Sequence, residues 1–115
     1  MIAHVTVSTA KLQESVDFYQ WLLDLPIARS IEMPNVKIVF LGENETKLEL
    51  IEALDAEPVD AKGLTVGFQV DNLDEKLALL DSRQIGHTDV ISPNPGTRFA
   101  MFSDLNGCAI QLIEQ

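Results

Sequence analysis

Cysteine and basic residues are both scarce in this chain of 115 residues. The single cysteine, Cys108, cannot form an intrachain disulfide, which fits a reducing compartment. Eight Lys and Arg against 18 Asp and Glu give a formal charge of −10, which would repel nucleic acid and phosphate-rich membrane surfaces. The N-terminus lacks the basic and apolar segments of a signal peptide, and no apolar run approaches the roughly 20 residues that cross a bilayer. We therefore expect a cytoplasmic protein that binds neither nucleic acid nor membranes.

What the chain does contain is an internal repeat. Val5 aligns with Val66, and each half ends in a related Ile/Leu-rich strand, at 48–52 and 110–114. Two copies are too few for a solenoid and fit one domain with pseudo-twofold symmetry. At 46% hydrophobic residues the chain can bury one proper core and leaves no room for a second domain. The predicted organisation is a single domain formed by module one (1–53), a linker (54–62) and module two (63–115).

The spacing of apolar residues predicts the order strand-helix-strand-strand-strand in both modules. Apolar residues recur at helical spacing from Leu12 until Pro26 ends the segment, and Ser8 or Thr9 is expected to cap this helix. Asn72 is the expected cap of a second helix at about 73–83. The predicted strands cover 2–8, 27–33, 36–41 and 46–52 in module one, and 63–70, 88–91, 97–103 and 108–113 in module two.

Several motifs together are similar to one known family. They are His4-Val5 opening the first strand, Ser-Val-Asp-Phe-Tyr at 15–19, and Asp-x-x-Gly-x-x-Ile-x-Leu-Ile-Glu at 104–114. On these residues the chain resembles the glyoxalase/bleomycin-resistance/dioxygenase group, also called the vicinal oxygen chelate superfamily. The resemblance implies an α+β fold of two βαβββ modules in pseudo-twofold arrangement, forming a cup-shaped mixed sheet with helices on the outside. Because this cup is usually completed by a second copy in the family, a homodimer is expected.

The resemblance also implies where a metal ion would bind. Metal-dependent family members take one ligand from the first strand and one from the last strand of each module, here His4, Glu49, Thr65 and Gln111. Only His4 and Glu49 match the usual residues; Gln111 offers a neutral amide oxygen, and the Thr65 hydroxyl is a poor replacement for imidazole. We therefore expect a degenerate site in which His4, Glu49 and Gln111 hold no metal or a weakly bound Zn, Ni or Mn ion. If the repeat is a true duplication, the four side chains should converge in one concave site.

Other candidate site residues have two interpretations each. Six residues are candidates for substrate binding: Phe40, Thr65, Gln69, Arg98, Phe99 and Met101. The aromatic and methionine side chains among them fit a hydrophobic core as well as a ligand surface. Arg98 either meets an anionic ligand or pairs with a neighbouring carboxylate. Glu49 points away from its leucine neighbours on the strand, so it is either a partly buried carboxylate suited to general-base catalysis or an ordinary surface charge.

Three classes of function remain open. They are a metal-dependent lyase or isomerase, a metal-free binding protein for a drug or metabolite, and a degenerate homologue with a structural or regulatory role. An extradiol dioxygenase is disfavoured, because its triad of two His and one carboxylate cannot be assembled from His4 and His87. We favour a glyoxalase-like protein that binds a small molecule in a cup at the dimer interface. The alternative is a divalent-metal-dependent lyase or isomerase of the glyoxalase I type that uses Glu49 as general base.

Overall fold

The computed structural model describes residues 1–57 and 60–115. The chain divides into two compact units, Met1–Asp60 and Ala61–Gln115. Pro58, which belongs to the predicted linker, lies outside the described residues together with Val59. No helix in the described part of the chain is long and apolar enough to span a lipid bilayer.

Each unit contains one helix and four strands in the order β-α-β-β-β. The elements of the first unit are β1 (His4–Ser8), α1 (Leu12–Leu23), β2 (Ile27–Met33), β3 (Val36–Leu41) and β4 (Lys47–Ala53). Those of the second unit are β5 (Thr65–Gln69), α2 (Leu73–Ser82), β6 (Ile91–Asn94), β7 (Thr97–Ser103) and β8 (Ala109–Glu114). The predicted α+β fold of two βαβββ modules is confirmed.

The two four-stranded sheets have the same topology. Their strand orders are β1-β4-β3-β2 and β5-β8-β7-β6. The first and last strands of each unit pair in parallel, and the remaining pairs are antiparallel. The registers match as well, since Val5 lies opposite Leu48 in the first sheet and Val66 opposite Ile110 in the second. The aligned halves of the sequence are therefore equivalent in structure.

One face of each sheet is covered by the helix of its own unit. Strand side chains alternate between the two faces, so every second residue points towards the helix. In the first unit Leu48 and Leu50 are 5% and 0% exposed, and Leu22 of α1 is fully buried. In the second unit Leu112 and Leu80 are both fully buried. Each such side chain stabilises the fold by roughly 1.5–3 kcal/mol, so the helix-covered faces form the core.

Both helices begin against a glutamate from the last strand of their own unit. The Leu12 N–H donates to Glu52 Oε1 at 2.7 Å, and the Leu73 N–H donates to Glu114 Oε2 at 2.8 Å. Each carboxylate binds an N–H that has no partner within the helix and lies at the positive end of the helix dipole. The glutamate that ends the repeated Leu-Ile-Glu sequence of each unit is thus a helix cap supplied from a distant strand.

The N-terminal cap residue predicted from the sequence is found in only one of the two helices. Asn72 caps α2 as predicted, because its side chain accepts a hydrogen bond from the Glu75 N–H at 3.1 Å. The prediction that Ser8 or Thr9 caps α1 is wrong. Lys11 occupies the cap position without a side-chain hydrogen bond, and Thr9 Oγ1 accepts from the Lys11 N–H at 2.9 Å.

The second strand of the second unit begins later than predicted. The segment 88–91 was expected to be extended, whereas β6 covers Ile91–Asn94 and contains Pro93. Because β6 is an edge strand, a residue without an N–H can be accommodated there. Thr88 still contacts β7, donating its N–H to the Met101 carbonyl and accepting the Met101 N–H on its hydroxyl, each at 2.9 Å.

Candidate functional site

The face of the first sheet that its helix leaves uncovered contains the predicted catalytic carboxylate. Strand pairing places Thr6, Glu49 and Phe40 side by side in one row across β1, β4 and β3. His4 lies two residues before Thr6 and therefore shares this face. We call this group of four residues the carboxylate row.

Glu49 is the most enclosed polar group of the carboxylate row. Its side chain is 12% exposed, and Oε1 accepts a hydrogen bond from the Thr6 hydroxyl. His4 Nε2 lies 3.6 Å from the same oxygen, and its side chain is 42% exposed. The His4 ring packs edge-on against Phe40 with 5.4 Å between ring centroids. The Glu49 carboxylate thus lies between an imidazole and the hydroxyl that donates to it, with an aromatic ring beside them.

The corresponding face of the second sheet is built on the same plan with neutral groups. Gly67, Gln111 and Met101 form the row across β5, β8 and β7. Thr65 and Gln69 lie on the same face of β5 and are exposed. The Gln111 side chain extends over Gly67, where its Oε1 is 3.1 Å from the position that a β-carbon would take. We call these five residues the amide face.

The two faces correspond position by position. Thr65 replaces His4, Gly67 replaces Thr6, Gln111 replaces Glu49 and Met101 replaces Phe40. The second sheet therefore lacks the ionisable pair of the first, and its amide takes the position of a carboxylate. This difference arises from single residues on a shared backbone plan.

Two of the predicted binding residues fall on different faces of β7. Phe99 shares the amide-face side of the strand with Met101, because strand side chains alternate. Arg98 lies on the helix-covered side. There its guanidinium contacts Asp74 at 2.9 Å and Glu114 at 3.3 Å. The hydrogen bond and the charge of Asp74, followed by the hydrogen bond and the charge of Glu114, raise the pKa of Arg98. Within the second unit, the structure thus places Arg98 on the opposite face of the sheet from Thr65, Gln69, Phe99 and Met101.

Within each unit, the described donor set has fewer strong ligands than a catalytic metal ion generally takes. His4 and Glu49 are two strong donors within one unit, whereas catalytic Zn sites generally use three protein ligands. Gln111 and Thr65 offer a neutral amide and a hydroxyl to a divalent ion. In residues 1–57 and 60–115 no group of three or more His, Cys, Asp or Glu is placed to hold a metal ion.

Sequence reasoning did not predict the contacts that two residues of these faces make. Thr6 donates to the predicted base Glu49, and Gly67 leaves room for the Gln111 amide. The signal for Thr6 was present in the alternation, since it follows His4 by two residues on the same strand. The signal for Gly67 was weaker, because only the strand register shows which side chain crosses above it. Cys108 has no part in either face; burial raises the pKa of its thiol.

Comparisons with known proteins agree with this architecture. The family model described as Glyoxalase/Bleomycin resistance protein/Dioxygenase superfamily matches residues 1–112. The trypanothione-dependent glyoxalase I of Leishmania major is similar with a TM-score of 0.82 and 21% identity, over 99% of this chain and 86% of that chain. The antibiotic binding protein TnmS3 from Streptomyces sp. CB03234 has a TM-score of 0.75 and 18% identity, over 99% and 94%. The fosfomycin resistance protein FosX from Listeria monocytogenes has a TM-score of 0.76 and 15% identity, over 100% and 93%. The comparison with curated proteins found no match.

Proposed function

The chain belongs to the Glyoxalase/Bleomycin resistance protein/Dioxygenase superfamily, and from that premise we propose that it binds a small organic molecule on the helix-free faces of its sheets, without metal-dependent catalysis. Members of one fold serve as enzymes and as binding proteins, so the choice depends on the side chains of the site. The similar structures include an antibiotic binding protein and a glyoxalase I. The fold therefore leaves both classes open, and the residues decide between them.

The observation that carries this proposal is the composition of the two faces. Each combines a half-buried apolar side chain, Phe40 or Met101, with polar side chains directly beside it. Small-molecule sites are lined mostly by apolar groups, with a few polar groups that orient the ligand. Both faces have this composition, which supports binding of a molecule with an apolar body and polar substituents.

The donor set supports a role that does not depend on a metal ion. Glu49 would be the only anionic ligand, and the neutral Gln111 at the equivalent position supplies no second negative charge. Fewer anionic ligands mean weaker attraction for the ion. We infer that any Zn, Ni or Mn ion binds weakly and is not the centre of the activity.

One observation favours the alternative, a divalent-metal-dependent lyase or isomerase with Glu49 as general base. The 3.6 Å between His4 Nε2 and Glu49 Oε1 is close to the spacing of two ligands on one tetrahedral ion, about 3.3 Å for bonds of roughly 2.0 Å. These two residues would then contribute to a site that needs further ligands. The alternative predicts stoichiometric metal in the purified protein.

The test combines metal analysis with a thermal-shift screen of drug-like and metabolite-like molecules. A ligand that binds only the folded state raises the stability by about 2.7 kcal/mol at 100 times its Kd, which raises the melting temperature. We expect stabilising ligands in metal-free protein, and their effect should fall in Glu49→Gln but not in the control Glu43→Gln, a change in an exposed turn. Stabilisation that requires a stoichiometric metal ion would favour the alternative. No stabilising ligand with or without metal would support a structural or regulatory role.

We further propose that the protein works as a homodimer in the cytoplasm. Several large apolar residues are exposed in the described chain, with Met33 48% and Leu54 78% exposed. Exposed apolar groups of this size are often covered by a partner. The lone cysteine of the sequence, which fits a reducing compartment, supports the location.

A further inference from the structure

We propose that the outer edge of β2 is an interface on which the same strand of a second copy pairs antiparallel, with Ile31 of one copy opposite Ile31 of the other. The inference rests on the proposed homodimer, and it names the strand, the register and the side chains through which that homodimer forms. It concerns the first unit alone, because β2 is an edge strand of the first sheet.

The first argument is the free edge of β2. The strand ends the order of the first sheet, so its outer N–H and C=O groups pair with no strand of the described chain. Six of its seven residues are exposed, among them Ile27 and Met33 by 47% and 48%. The strand contains no proline and keeps one unbroken register with β3 over 29–33. An exposed edge of this length is a template for another strand.

The second argument is the contrast with β6, the equivalent edge strand of the second unit. β6 has only four residues and contains Pro93. It pairs with β7 at Ile91 and at Asn94, and the register shifts between these two positions. Short strands, proline and bulges are the features by which natural sheets prevent pairing at an edge. The duplicated fold thus protects the edge of its second unit and leaves the edge of its first unit open to pairing.

The third argument is that the β2 sequence matches itself in one register. A twofold axis perpendicular to the sheet keeps both faces continuous, so the pairing is centred on a residue that lies opposite itself. A centre at Glu32 would place two carboxylates opposite each other, which is destabilising. A centre at Ser30 would extend the pairing to 27–28, where the register with β3 shifts. A centre at Ile31 pairs the regular segment 29–33 with itself and places an apolar side chain on its own copy.

The side chains around this centre are compatible with each other. On the helix-free face, the aliphatic stem of Arg29 crosses the partner's Met33, which is 48% exposed in the single chain. Because Arg29 also lies opposite Phe40 of the carboxylate row, the partner's Met33 extends that row beyond the edge of the sheet. Ser30 and Glu32 point to the other face and stay in contact with water there, so they contribute little. The partner copy thus adds an apolar residue to the face that the proposed function uses.

Cysteine cross-linking tests the register. Ile31→Cys places two thiols opposite each other, with β-carbons about 4.5–5.5 Å apart, so mild oxidation should join the two chains. The control Ser30→Cys lies at a more exposed position, which random collisions would favour. Its two thiols are diagonal neighbours about 7–8 Å apart in the proposed register, which is too far for a disulfide. A mixture of Ser30→Cys and Glu32→Cys should cross-link, and the buried Cys108 is present in every variant.

A charge at the centre of the interface tests whether this strand holds the dimer together. Ile31→Arg places two cations opposite each other and should weaken self-association by about tenfold or more in light scattering. The matched control is Ile91→Arg, which adds the same charge to the exposed edge strand of the second unit and should remain a dimer. Circular dichroism of both variants shows whether the fold is kept.

The outcomes separate this inference from the proposed function. Cross-linking of Ser30→Cys as fast as that of Ile31→Cys would overturn the inference, and so would a folded Ile31→Arg that dimerises as tightly as wild type. In either case the proposed homodimer would stand on another surface. A monomeric wild type would overturn both the inference and the homodimer, whereas ligand binding is tested separately by the thermal-shift screen.

Discussion

Raising the pH through the range in which His87 loses its proton should destabilise this protein. His87 Nε2 lies 2.8 Å from Asp81 Oδ1 at the end of α2, and His87 Nδ1 lies 2.7 Å from the Thr88 carbonyl oxygen. Both partners are pure acceptors, and a neutral imidazole has only one N–H to donate. Only the protonated ring satisfies both contacts. The Thr88 carbonyl, then the hydrogen bond to Asp81 and the charges of Asp81 and Asp89, raise the pKa of His87 above 6.5 despite the opposing effect of burial.

The raised pKa sets the direction of the pH dependence. Between pH 6.5 and the raised pKa, the folded protein keeps the His87 proton while the unfolded chain has largely lost it. The stabilisation is therefore fully present below pH 6.5 and is lost as the pH rises through the folded pKa. It does not return at higher pH.

The size of the effect follows from the exposure of the two partners. Hydrogen bonds to charged groups contribute roughly 1.5–3 kcal/mol, and exposed ion pairs contribute roughly 0.2–1 kcal/mol. The His87 side chain is 17% exposed, but that of Asp81 is 68% exposed, so solvent screens the pair. We expect a loss of about 1 kcal/mol, which lowers Tm by about 4 °C in a domain of this size.

Urea unfolding across this pH range, with wild type and His87→Gln compared, measures the effect. The two proteins differ only at position 87, so the difference between their pH profiles isolates His87. The difference in the free energy of unfolding between wild type and His87→Gln should be largest below pH 6.5. It should disappear above the pKa of His87 in the folded protein. Asp81→Asn should reduce this pH dependence, because the acceptor keeps its shape and loses its charge. Parallel pH profiles for wild type and His87→Gln would refute the reasoning.

Three further predictions concern the helix caps, the metal site and the assembly. Glu52→Ala and Glu114→Ala should each lower the free energy of unfolding, measured in urea, by about 1 kcal/mol. The control is Glu32→Ala, a change at an exposed position. A loss no larger than that of the control would contradict the capping role. Elemental analysis should find less than one divalent ion per chain after dialysis against a mild chelator, and Thr65→His with Gln111→Glu should raise metal affinity markedly; a full equivalent of Ni, Zn or Mn in wild type would favour the metal enzyme. Light scattering should show a dimer in which a second copy covers exposed apolar residues. A monomer across micromolar concentrations would contradict this prediction.

Local periodicity was sufficient to predict most of the secondary structure. The hairpin strands 27–33 and 36–41 and the strand 97–103 have the predicted bounds, and α1 begins at the predicted Leu12. Alternation also places Glu49 on one face of β4 and its neighbours Leu48 and Leu50 on the other face. These features depend on neighbours a few residues apart, which a sequence displays directly. The convergence of His4, Glu49, Thr65 and Gln111 in one site stays a prediction, as do their roles.

The sequence by itself determined the duplication, the order of strands and helices and the neutral character of Thr65 and Gln111. Only the tertiary structure decided which distant groups meet. Glu52 caps a helix that begins 40 residues earlier, Thr6 donates to Glu49, and the Gln111 amide crosses above Gly67. The physical reason is that these contacts depend on strand register, and a shift by one residue would turn every side chain of a strand to the other face. Periodicity therefore predicts which face a residue occupies, and register decides what it contacts there.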